Sequence, residues 1–409
     1  MRSPVLAGAV CAALLLPAAP ARAGYSNYQD VIVGERAAGM GGAFTALADD
    51  ASAAYYNPAG LATVGSQNLS LSANVFDFKW QRQRGYFHGK DLRASSVSFF
   101  PSDWYTVIHT TRATYAIAVI VPENLTATAS DAYHDPDGEL MLDSSQSVQT
   151  YLIGPAFGTA LSPRLQVGAA AYLLYGRYNS NFHGKIIDPA TSQVADELFQ
   201  EYKGYKVGFM GMAGLKYRLC DRLRLGWVLR SGAQPRHTED QLNVEYTRTG
   251  GAINRSGTEL KKQGYYSRIP WSTTVGLAWL PNSAWTWAAD LSLYAAARTN
   301  AQGTSYENKT TWNLNLGAEY AANPSMPVRF GLFTNNSAAP SPSAVPVSQP
   351  ADVDQYGVTA SVGYIKGTVS TAFGLKLAGG WGQSQSIEGN VIDVMTQEAS
   401  LFLGGTFRF

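Results

Sequence analysis

The chain contains 409 residues with a formal net charge of +1, and 15% of its residues are charged, compared with roughly 25% in a typical soluble domain. This balance excludes the basic footprint of a nucleic-acid-binding protein and a field that attracts acidic substrates. Aromatic residues make up 12% of the chain, which also contains 40 glycines, a composition that favours a β-barrel membrane protein.

The first 23 residues have the pattern of a secretory signal peptide. An apolar stretch runs from Val5 to Leu16, and Ala21-Arg22-Ala23 matches the cleavage pattern. The stretch is too short to span a bilayer as a permanent helix. We therefore expect the mature chain to begin near Gly24, which leaves Cys220 as its single cysteine and allows no internal disulfide bond.

The segment 36–61, RAAGMGGAFTALADDASAAYYNPAGL, is crowded with glycine and alanine. Asp49-Asp50 is placed to cap a short helix. Asn57-Pro58 is placed to end that helix, because the residue before a proline avoids the α region. Large apolar side chains such as Phe44 occur among the small ones, which a solvated tail would lack. We therefore expect this segment to be packed inside the protein.

From residue 67 onward, apolar and small polar residues alternate with the period of a β-strand. An apolar face and a polar face are expected where lipid lies outside a barrel and a lumen inside it. About fourteen segments are long enough for the roughly 9–11 residues of a tilted spanning strand. Their centres lie near residues 73, 96, 117, 153, 171, 211, 229, 270, 291, 313, 330, 360, 376 and 401.

The connections between these segments alternate in length, which is typical of outer-membrane barrels. Short turns are predicted at residues 161–164, 220–221, 281–282 and 323–324. Long polar loops are predicted near residues 124–145, 178–202, 233–264 and 335–354. The sequence therefore predicts an all-β membrane protein. Residues 67–409 form an antiparallel transmembrane β-barrel of about 14 strands, and residues 24–66 form a small, partly helical hatch in its lumen.

Aromatic residues and the last strand support the same fold. The aromatic residues beside the short turns are expected to form a periplasmic girdle; they are Trp279, Trp285, Trp287 and Tyr320. The final strand should turn Leu401, Leu403, Phe407 and Phe409 outward. This ending looks like the C-terminal signal of bacterial outer-membrane barrels, so the barrel-assembly machinery is an expected partner through Phe409.

Motifs for catalysis or cofactor binding are weak. The run from Gly39 to Phe44 lacks the third glycine of a dinucleotide-binding loop, and the five histidines show no zinc-ligand spacing. We therefore expect no enzyme, no cofactor and no metal. One alternative stays open, a membrane-embedded hydrolase that pairs serine and histidine from separate strands, for which His109 and His183 are the residues to inspect.

The segment 36–61 resembles the N-terminal hatch of the FadL-type (OmpP1/FadL/TodX) family of outer-membrane transporters for long-chain fatty acids and hydrocarbons. The resemblance includes the Asn-Pro-Ala motif, here Asn57-Pro58-Ala59, and the order of hatch, fourteen strands and terminal phenylalanine. It implies passive uptake of hydrophobic molecules past the lipopolysaccharide layer, with a hatch that moves and a lateral exit into the membrane. The gating residues that it implies are Gly39, Gly41, Gly42, Asn57, Pro58, Ala59 and Gly60.

The resemblance also implies an apolar landing site in the long loops near residues 178–202 and 233–264. Its candidate contacts are Ile186, Ile187, Leu198 and Phe199, and residues 195–199 suggest a short amphipathic helix. A carboxylate ligand would need a cation, for which Arg177, Lys203, Lys206, Lys216 and Arg218 are candidates. A hydrocarbon would need none, so the polarity of the ligand stays open.

The alternative function is a non-transporting outer-membrane barrel that binds proteins, such as a secretion-shuttle or attachment protein. Such a barrel would use its long loops for protein contacts. It would not enclose an apolar cavity between the loops and the hatch, and this difference separates the two functions.

Overall fold

The computed structural model describes residues 26–135, 138–188, 190–248, 254–261, 269–301, 304–321, 323–343, 350–386 and 388–409. The predicted signal peptide, residues 1–23, lies outside the described residues, as do parts of the predicted loops 233–264 and 335–354. The helical elements are α1 (Glu35–Gly39), α2 (Ala53–Tyr56) and a 3-10 helix (Pro58–Thr63). Within the described ranges, no helix is long and apolar enough to cross a membrane.

In the described ranges, eighteen strands follow the helical elements. The first nine are β1 (Asn68–Phe87), β2 (Lys90–His109), β3 (Thr114–Asp135), β4 (Gly138–Ala160), β5 (Leu165–Ile187), β6 (Val194–Cys220), β7 (Leu223–Arg230), β8 (Gln234–Arg248) and β9 (Asn254–Lys261). The others are β10 (Ser272–Trp279), β11 (Trp285–Tyr294), β12 (Ala297–Ala301), β13 (Thr304–Asn308), β14 (Thr311–Tyr320), β15 (Val328–Asn335), β16 (Asp352–Lys366), β17 (Val369–Gln385) and β18 (Val391–Arg408).

Fourteen of these strands close into an antiparallel barrel, as the sequence predicted. The pairing of β1 with β18 joins the two ends of the chain, and the pairing of β5 with β6 completes the ring. The β8–β9 hairpin extends the sheet from β6, and β12–β13 forms a separate hairpin. The predicted centre at residue 270 precedes β10 by two residues, while the other thirteen centres fall inside barrel strands.

The two faces of the wall differ in polarity because successive side chains of a strand point to opposite sides. Leu71 and Leu291 are 51% and 45% exposed on the outer face, where they meet lipid. Asn313 and Asn315, on the same strand as exposed Leu314, are 0% and 2% exposed toward the interior. The alternation read from the sequence is therefore the lipid-and-lumen alternation of a membrane barrel.

Three of the predicted long loops are instead largely strand in the described residues, and one of them is 233–264, where β8 and β9 form a hairpin. β3 continues to Asp135 and β4 begins at Gly138. In the same way, β5 continues to Ile187 and β6 begins at Val194. These strands have 22 to 27 residues, about twice the roughly 9–11 needed to cross the membrane. The predicted loops at 124–145 and 178–202 were wrong because polar side chains do not end a hairpin whose backbone groups remain paired.

The aromatic girdle and the last strand follow the prediction. Trp279, Trp287 and Tyr320 are exposed on the outer face beside short turns, and Trp285 stacks on Trp287 with ring centroids 5.4 Å apart. Phe407 and Phe409 are also exposed. Recognition of Phe409 by the assembly machinery stays a prediction.

Candidate functional site

The hatch lies inside the barrel, near the end that carries the short turns. Met40, Phe44 and Leu47 are at most 1% exposed, and they share one apolar cluster with Tyr105 and Tyr172 of the wall. A turn stabilised by Asp50 leads into α2, since Asp50 Oδ1 accepts hydrogen bonds from the backbone and hydroxyl of Ser52. The helix ends at Tyr56, close to the predicted stop.

Glycines in the wall allow the hatch backbone to approach it closely. Gly158, Gly168 and Gly214 form one row across β4, β5 and β6. A Cβ atom at Gly214 would lie 2.9 Å from Pro58 Cδ, and one at Gly158 would lie 2.9 Å from the backbone nitrogen of Ala62. Since real Cβ atoms essentially never come so close, side chains on this row would displace the hatch.

The side chain of Asn57 connects the hatch to the wall. Its side chain is fully buried, and its amide nitrogen donates to the carbonyl oxygens of Thr45 and Leu215, at 3.0 Å each. Its side-chain oxygen accepts from the backbone nitrogen of Ala59 at 3.1 Å. Asn57 therefore joins two parts of the hatch to β6.

Further wall side chains bind the hatch backbone at other points, and Asp290, Asp103, Asn315 and Thr359 are among them. Asp290 Oδ2 accepts from the backbone nitrogens of Phe44 and Thr45 at 2.8 Å each. The further contacts are Gly34 N to Asp103 Oδ2, Asn315 Nδ2 to Gly41 O, and Thr359 Oγ1 to Gly39 O. Backbone groups of a non-regular segment thus find partners that secondary structure does not supply.

Charged side chains of the hatch face the end with short turns. Arg36 forms ion pairs with Asp49 and with Glu319, which also pairs with Arg329. Burial, and to a smaller extent the neighbouring Asp50 and Asp103 carboxylates, raises the pKa of Glu35 from 4.5 to about 7. The acidic and basic groups around Arg36 therefore form the floor of the hatch.

The seven predicted gating residues all lie within the hatch. Gly41 and Gly42 have φ of 63° and 83°, a region that favours glycine. Gly60 lies against the carbonyl group of Ala48, where a Cβ atom would collide with it. Gly39, Pro58 and Ala59 are buried, as is Asn57. The structure brings these residues to the wall contacts; their role in gating stays a prediction.

A cavity of about 120 Å³ lies on the side of the hatch away from the short turns. Tyr55 and Tyr56 of the hatch form part of its floor, and Tyr28 and Gln29 of the preceding segment form part of its side. Leu152, Met210 and Ile269 are among its apolar wall residues, and Glu123, Lys206, Arg230 and Asp290 are its charged ones.

Only part of the predicted landing site faces inward. Ile186 and Leu198, 6% and 2% exposed, lie in an apolar cluster inside the extended strands with Phe87, Tyr133 and Leu140. Phe199 is 37% exposed on the opposite face, and Ile187 is partly exposed. Residues 195–199 belong to β6, so the predicted amphipathic helix was wrong. Pairing with both β5 and β8 outweighs the local helix propensity.

The candidate cations are also divided between the two faces. Lys206 is 3% exposed and lines the cavity. Arg177 is exposed, and Lys203 pairs with Glu201 outside the cavity. Lys216 donates to the carbonyl oxygen of Leu47 in the floor of the hatch. Arg218 is exposed near a short turn, so Lys206 is the candidate that a ligand in the cavity would meet.

The wall has a break between β2 and β3. These strands pair at Ser95 with Thr128 and again at Asp103 with Ile120, but not at the residues in between. Pro101 and Pro122, which lack backbone N–H groups, lie in the unpaired stretches. Because Pro122 and Glu123 also line the cavity, the break is next to the cavity.

A second, larger space of about 620 Å³ lies below the hatch and opens at the short turns. Charged residues from both the hatch and the wall line it, including Glu35, Asp49, Arg164, Arg218, Arg224 and Arg408. It is therefore a polar vestibule, unlike the cavity on the other side of the hatch.

The histidines of the hydrolase alternative have other partners. His109 Nδ1 lies 2.9 Å from Thr114 Oγ1, and His183 Nε2 lies 2.7 Å from Glu197 Oε1. Neither contact is a serine–histidine pair. In the ranges that the structure covers, no cluster of side chains suited to a metal ion is found.

A closed fourteen-stranded barrel with a packed hatch and an interior cavity defines an outer-membrane β-barrel channel for hydrophobic compounds. A sequence profile described as "Outer membrane protein transport protein (OMPP1/FadL/TodX)" matches residues 18–366. The chain belongs to this family, whose members are transport barrels rather than enzymes. No curated protein sequence matches the chain.

Several solved structures share the fold. A Pseudomonas aeruginosa FadL homologue has 13% sequence identity and a TM-score of 0.67, with 94% of this chain and 100% of that chain covered. The P. putida toluene transporter TodX has 17% identity and a TM-score of 0.69, with 94% and 99% covered. The CymD monoaromatic hydrocarbon channel has 16% identity and a TM-score of 0.61, with 92% and 97% covered.

Sequence reasoning missed the position of the break between β2 and β3, the role of residues 26–33, and three charged cavity residues, Glu123, Arg230 and Asp290. Pro122 within a predicted strand was a signal for the break, because proline is confined to edges and bulges of sheets. Glu123 and Arg230 carried no comparable signal. Their position depends on which strands face each other across the lumen.

Proposed function

We propose that the protein conducts compact hydrophobic molecules passively through the outer membrane. The cavity is the resting site, and the break between β2 and β3 is a lateral exit. The observation that carries this proposal is that Pro122 and Glu123 belong both to the cavity lining and to the unpaired stretch of β3. A barrel that only binds proteins needs neither feature, so the cavity favours transport.

Access to the cavity is through the extended strands. Their inner side chains form the apolar cluster that contains Ile186 and Leu198. A second cluster, with Leu125, Val148 and Tyr306, lies between that one and the hatch side of the lumen. A ligand that moves inward exchanges water for apolar surface at each step, worth roughly 25 cal/mol per Å² of apolar area.

A lateral exit suits a hydrophobic ligand better than passage through the hatch. Below the hatch the ligand would enter the charged vestibule, where its apolar surface would return to water. At the break, by contrast, Val97 and Phe99 are 65% and 69% exposed on the outer face of β2. A ligand that leaves there enters lipid directly.

The segment before α1 is the proposed gate. The backbone nitrogen of Val31 donates to the carbonyl oxygen of Pro122 at 3.4 Å, and that of Asn124 donates to Asp30 Oδ2 at 3.2 Å. Lys79 pairs with Asp30 at 3.2 Å and donates to the carbonyl oxygen of Asn124. Asp30 and Val31 thus form hydrogen bonds with backbone groups of β3 that β2 leaves unpaired. They lie between the cavity and the break.

The size of the cavity favours ligands with a single aromatic ring over long-chain fatty acids. Its volume of about 120 Å³ is comparable to the cavity of about 150 Å³ that accommodates benzene in an engineered protein. A long alkyl chain would also need the space now filled by the upper clusters. The toluene and monoaromatic hydrocarbon channels of similar fold support the same choice.

A cross-link across the break tests the lateral exit. Asn124 Nδ2 lies 3.4 Å from Ser98 Oγ on the facing strand, so the pair to oxidise across the break is Ser98→Cys/Asn124→Cys in a Cys220→Ser background, with disulfide formation checked by loss of free thiol. We expect oxidation to abolish uptake of a labelled monoaromatic compound by cells that lack their own transporter. Reduction should restore it.

The control pair is Thr106→Cys/Ile117→Cys, which joins the same two strands where they are already paired. Oxidising that pair should leave uptake unchanged. Heat modifiability shows whether the oxidised Ser98→Cys/Asn124→Cys protein is folded. If that folded protein takes up the compound as fast as the same protein after reduction of the disulfide, the lateral exit at this break is wrong.

A further inference from the structure

A lysine side chain without a partner among the described residues lines the cavity. Lys206 is 3% exposed, and in the described part of the chain it has neither an ion pair nor a hydrogen bond. Its aliphatic chain lies across Gly176, where a side chain would collide with it, and Thr150 is the next residue in that cross-strand row. A buried ammonium group without a partner is costly, so Lys206 is suited to bind a ligand atom.

Glu123 is the complementary group. One of its carboxylate oxygens accepts a hydrogen bond from Thr150 Oγ1 at 2.6 Å. Its other oxygen receives no hydrogen bond from any residue that the structure covers. Lys206 therefore presents an unused donor to the cavity, and Glu123 presents an unused acceptor. Thr150 lies between the two residues in the same cross-strand row.

The remaining charges of the cavity balance each other. Arg230 binds the carbonyl oxygens of Tyr55 and Tyr56, and its buried Nε has no partner among the described residues. Asp290 binds the hatch backbone. Two cations and two carboxylates thus line the cavity, so a ligand with a full charge would leave it unbalanced.

We propose that the cavity selects a neutral, hydroxylated monoaromatic molecule, of the phenol or benzyl alcohol class. This inference rests on the proposed transport function and narrows its substrate. The ring packs against tyrosines of the hatch segment and Met210, and the hydroxyl group accepts a hydrogen bond from Lys206 and donates one to Glu123. A hydroxyl group is the smallest substituent that does both.

The two competing ligand classes satisfy the cavity less well. A hydrocarbon of the same size leaves the ammonium group of Lys206 and one carboxylate oxygen of Glu123 without a partner among the described residues, which is costly for charged groups. A carboxylate pairs with Lys206 but places a second negative charge beside Glu123, and like charges close together destabilise each other. The hydroxylated ring meets neither difficulty.

Three probes of similar shape test the proposal: p-xylene, p-cresol and p-toluate, which differ in one substituent. Binding is measured by calorimetry on the purified full-length barrel in detergent, with the heat of partition into empty micelles subtracted. We expect p-cresol to bind at least tenfold more tightly than either of the others. A factor of this size corresponds to the loss of one hydrogen bond to a charged group.

Lys206→Met tests the assigned contact. It should weaken p-cresol binding roughly tenfold or more and leave p-xylene binding equal or stronger. The matched control is Lys203→Met, a lysine on the same strand with a 45% exposed side chain, which should leave all three affinities unchanged. Glu123→Gln keeps the shape of Glu123, so a selective loss of p-cresol binding there supports the same hydroxyl position.

The outcomes separate this inference from the transport function. Tightest binding of p-toluate, or of p-xylene, overturns the hydroxyl assignment and leaves a hydrophobic ligand site standing. If Lys206→Met lowers the affinity for all three probes equally, Lys206 is a structural residue, and the hydroxyl assignment is overturned in that case as well. If the folded wild-type barrel binds none of the three, both the inference and the proposed resting site are wrong.

Discussion

Replacing Asn57 with alanine should raise the population of the open hatch while the barrel remains intact. The substitution removes the three hydrogen bonds that join Asn57 to Thr45, Leu215 and Ala59. Asn57 is completely buried, so no water replaces its amide group without rearrangement. The wall contributes one of the three partners, which means that the loss weakens docking as well as the fold of the hatch itself.

The magnitude follows from the number of bonds. A hydrogen bond contributes about 1 kcal/mol net, so the free energy of opening the hatch should fall by about 3 kcal/mol. Each 1.4 kcal/mol corresponds to about tenfold in an equilibrium constant. The population of the open hatch should therefore rise about a hundredfold.

Hydrogen exchange of peptides that cover residues 36–61 measures this population, because local opening controls the exchange of protected amides. The control is Asn282→Ala in a turn of the wall, where Asn282 Oδ1 binds the backbone nitrogens of Ala284 and Trp285. Equal exchange of the hatch in the two variants, with the barrel strands protected in both, would refute the anchoring role of Asn57.

Two further predictions concern the same hatch. Gly214→Val should place a side chain where Pro58 lies and expose the hatch to protease. The control is Gly211→Val on the same strand, whose Cβ atom would meet only Ser231 Oγ at 3.7 Å. Equal proteolysis of the two variants would contradict the close approach of hatch and wall. Since the pKa of Glu35 is raised from 4.5 to about 7 in the folded protein, the native state binds the extra proton, so stability is highest below pH 4.5 and falls as the pH rises to about 7. Thermal unfolding across this range should show a loss of up to about 3 kcal/mol, and Glu35→Gln should remove that dependence; an unchanged profile in the variant would assign the effect to another group.

The barrel could be predicted from the sequence because alternation of apolar and polar residues reports directly on the two faces of a strand. Residues 312–320 show this, with Leu314 and Leu316 on the lipid side and Asn313 and Asn315 inside. Strand ends could not be predicted equally well. Beyond the membrane, the outward-facing side chains become polar, as at Asn181 and Lys185, so the sequence looks like loop although the ladder of β5 and β6 continues to Ile187 and Val194.

The hatch was recognisable because small residues and Asn57-Pro58 occur together in one short stretch. The cavity was not, because its charged residues come from distant strands. Glu123 and Lys206 are separated by strands β4 and β5, and they meet one cavity because the strand register places them in the same cross-strand row. Only Lys206 was among the candidates, and alternation alone did not separate it from outward-facing Arg177.

The continuous pairing of β3, β4, β5 and β6 beyond the membrane affects how a ligand is first captured. A flexible loop must lose conformational entropy when it closes around a ligand, at about 0.5–1.5 kcal/mol for each immobilised side chain. Here Ile186 and Leu198 are already held by paired strands. In the proposed transport function, the outer end of the barrel therefore acts as a preorganised funnel, and capture of a dilute hydrophobic molecule does not have to wait for a loop to fold.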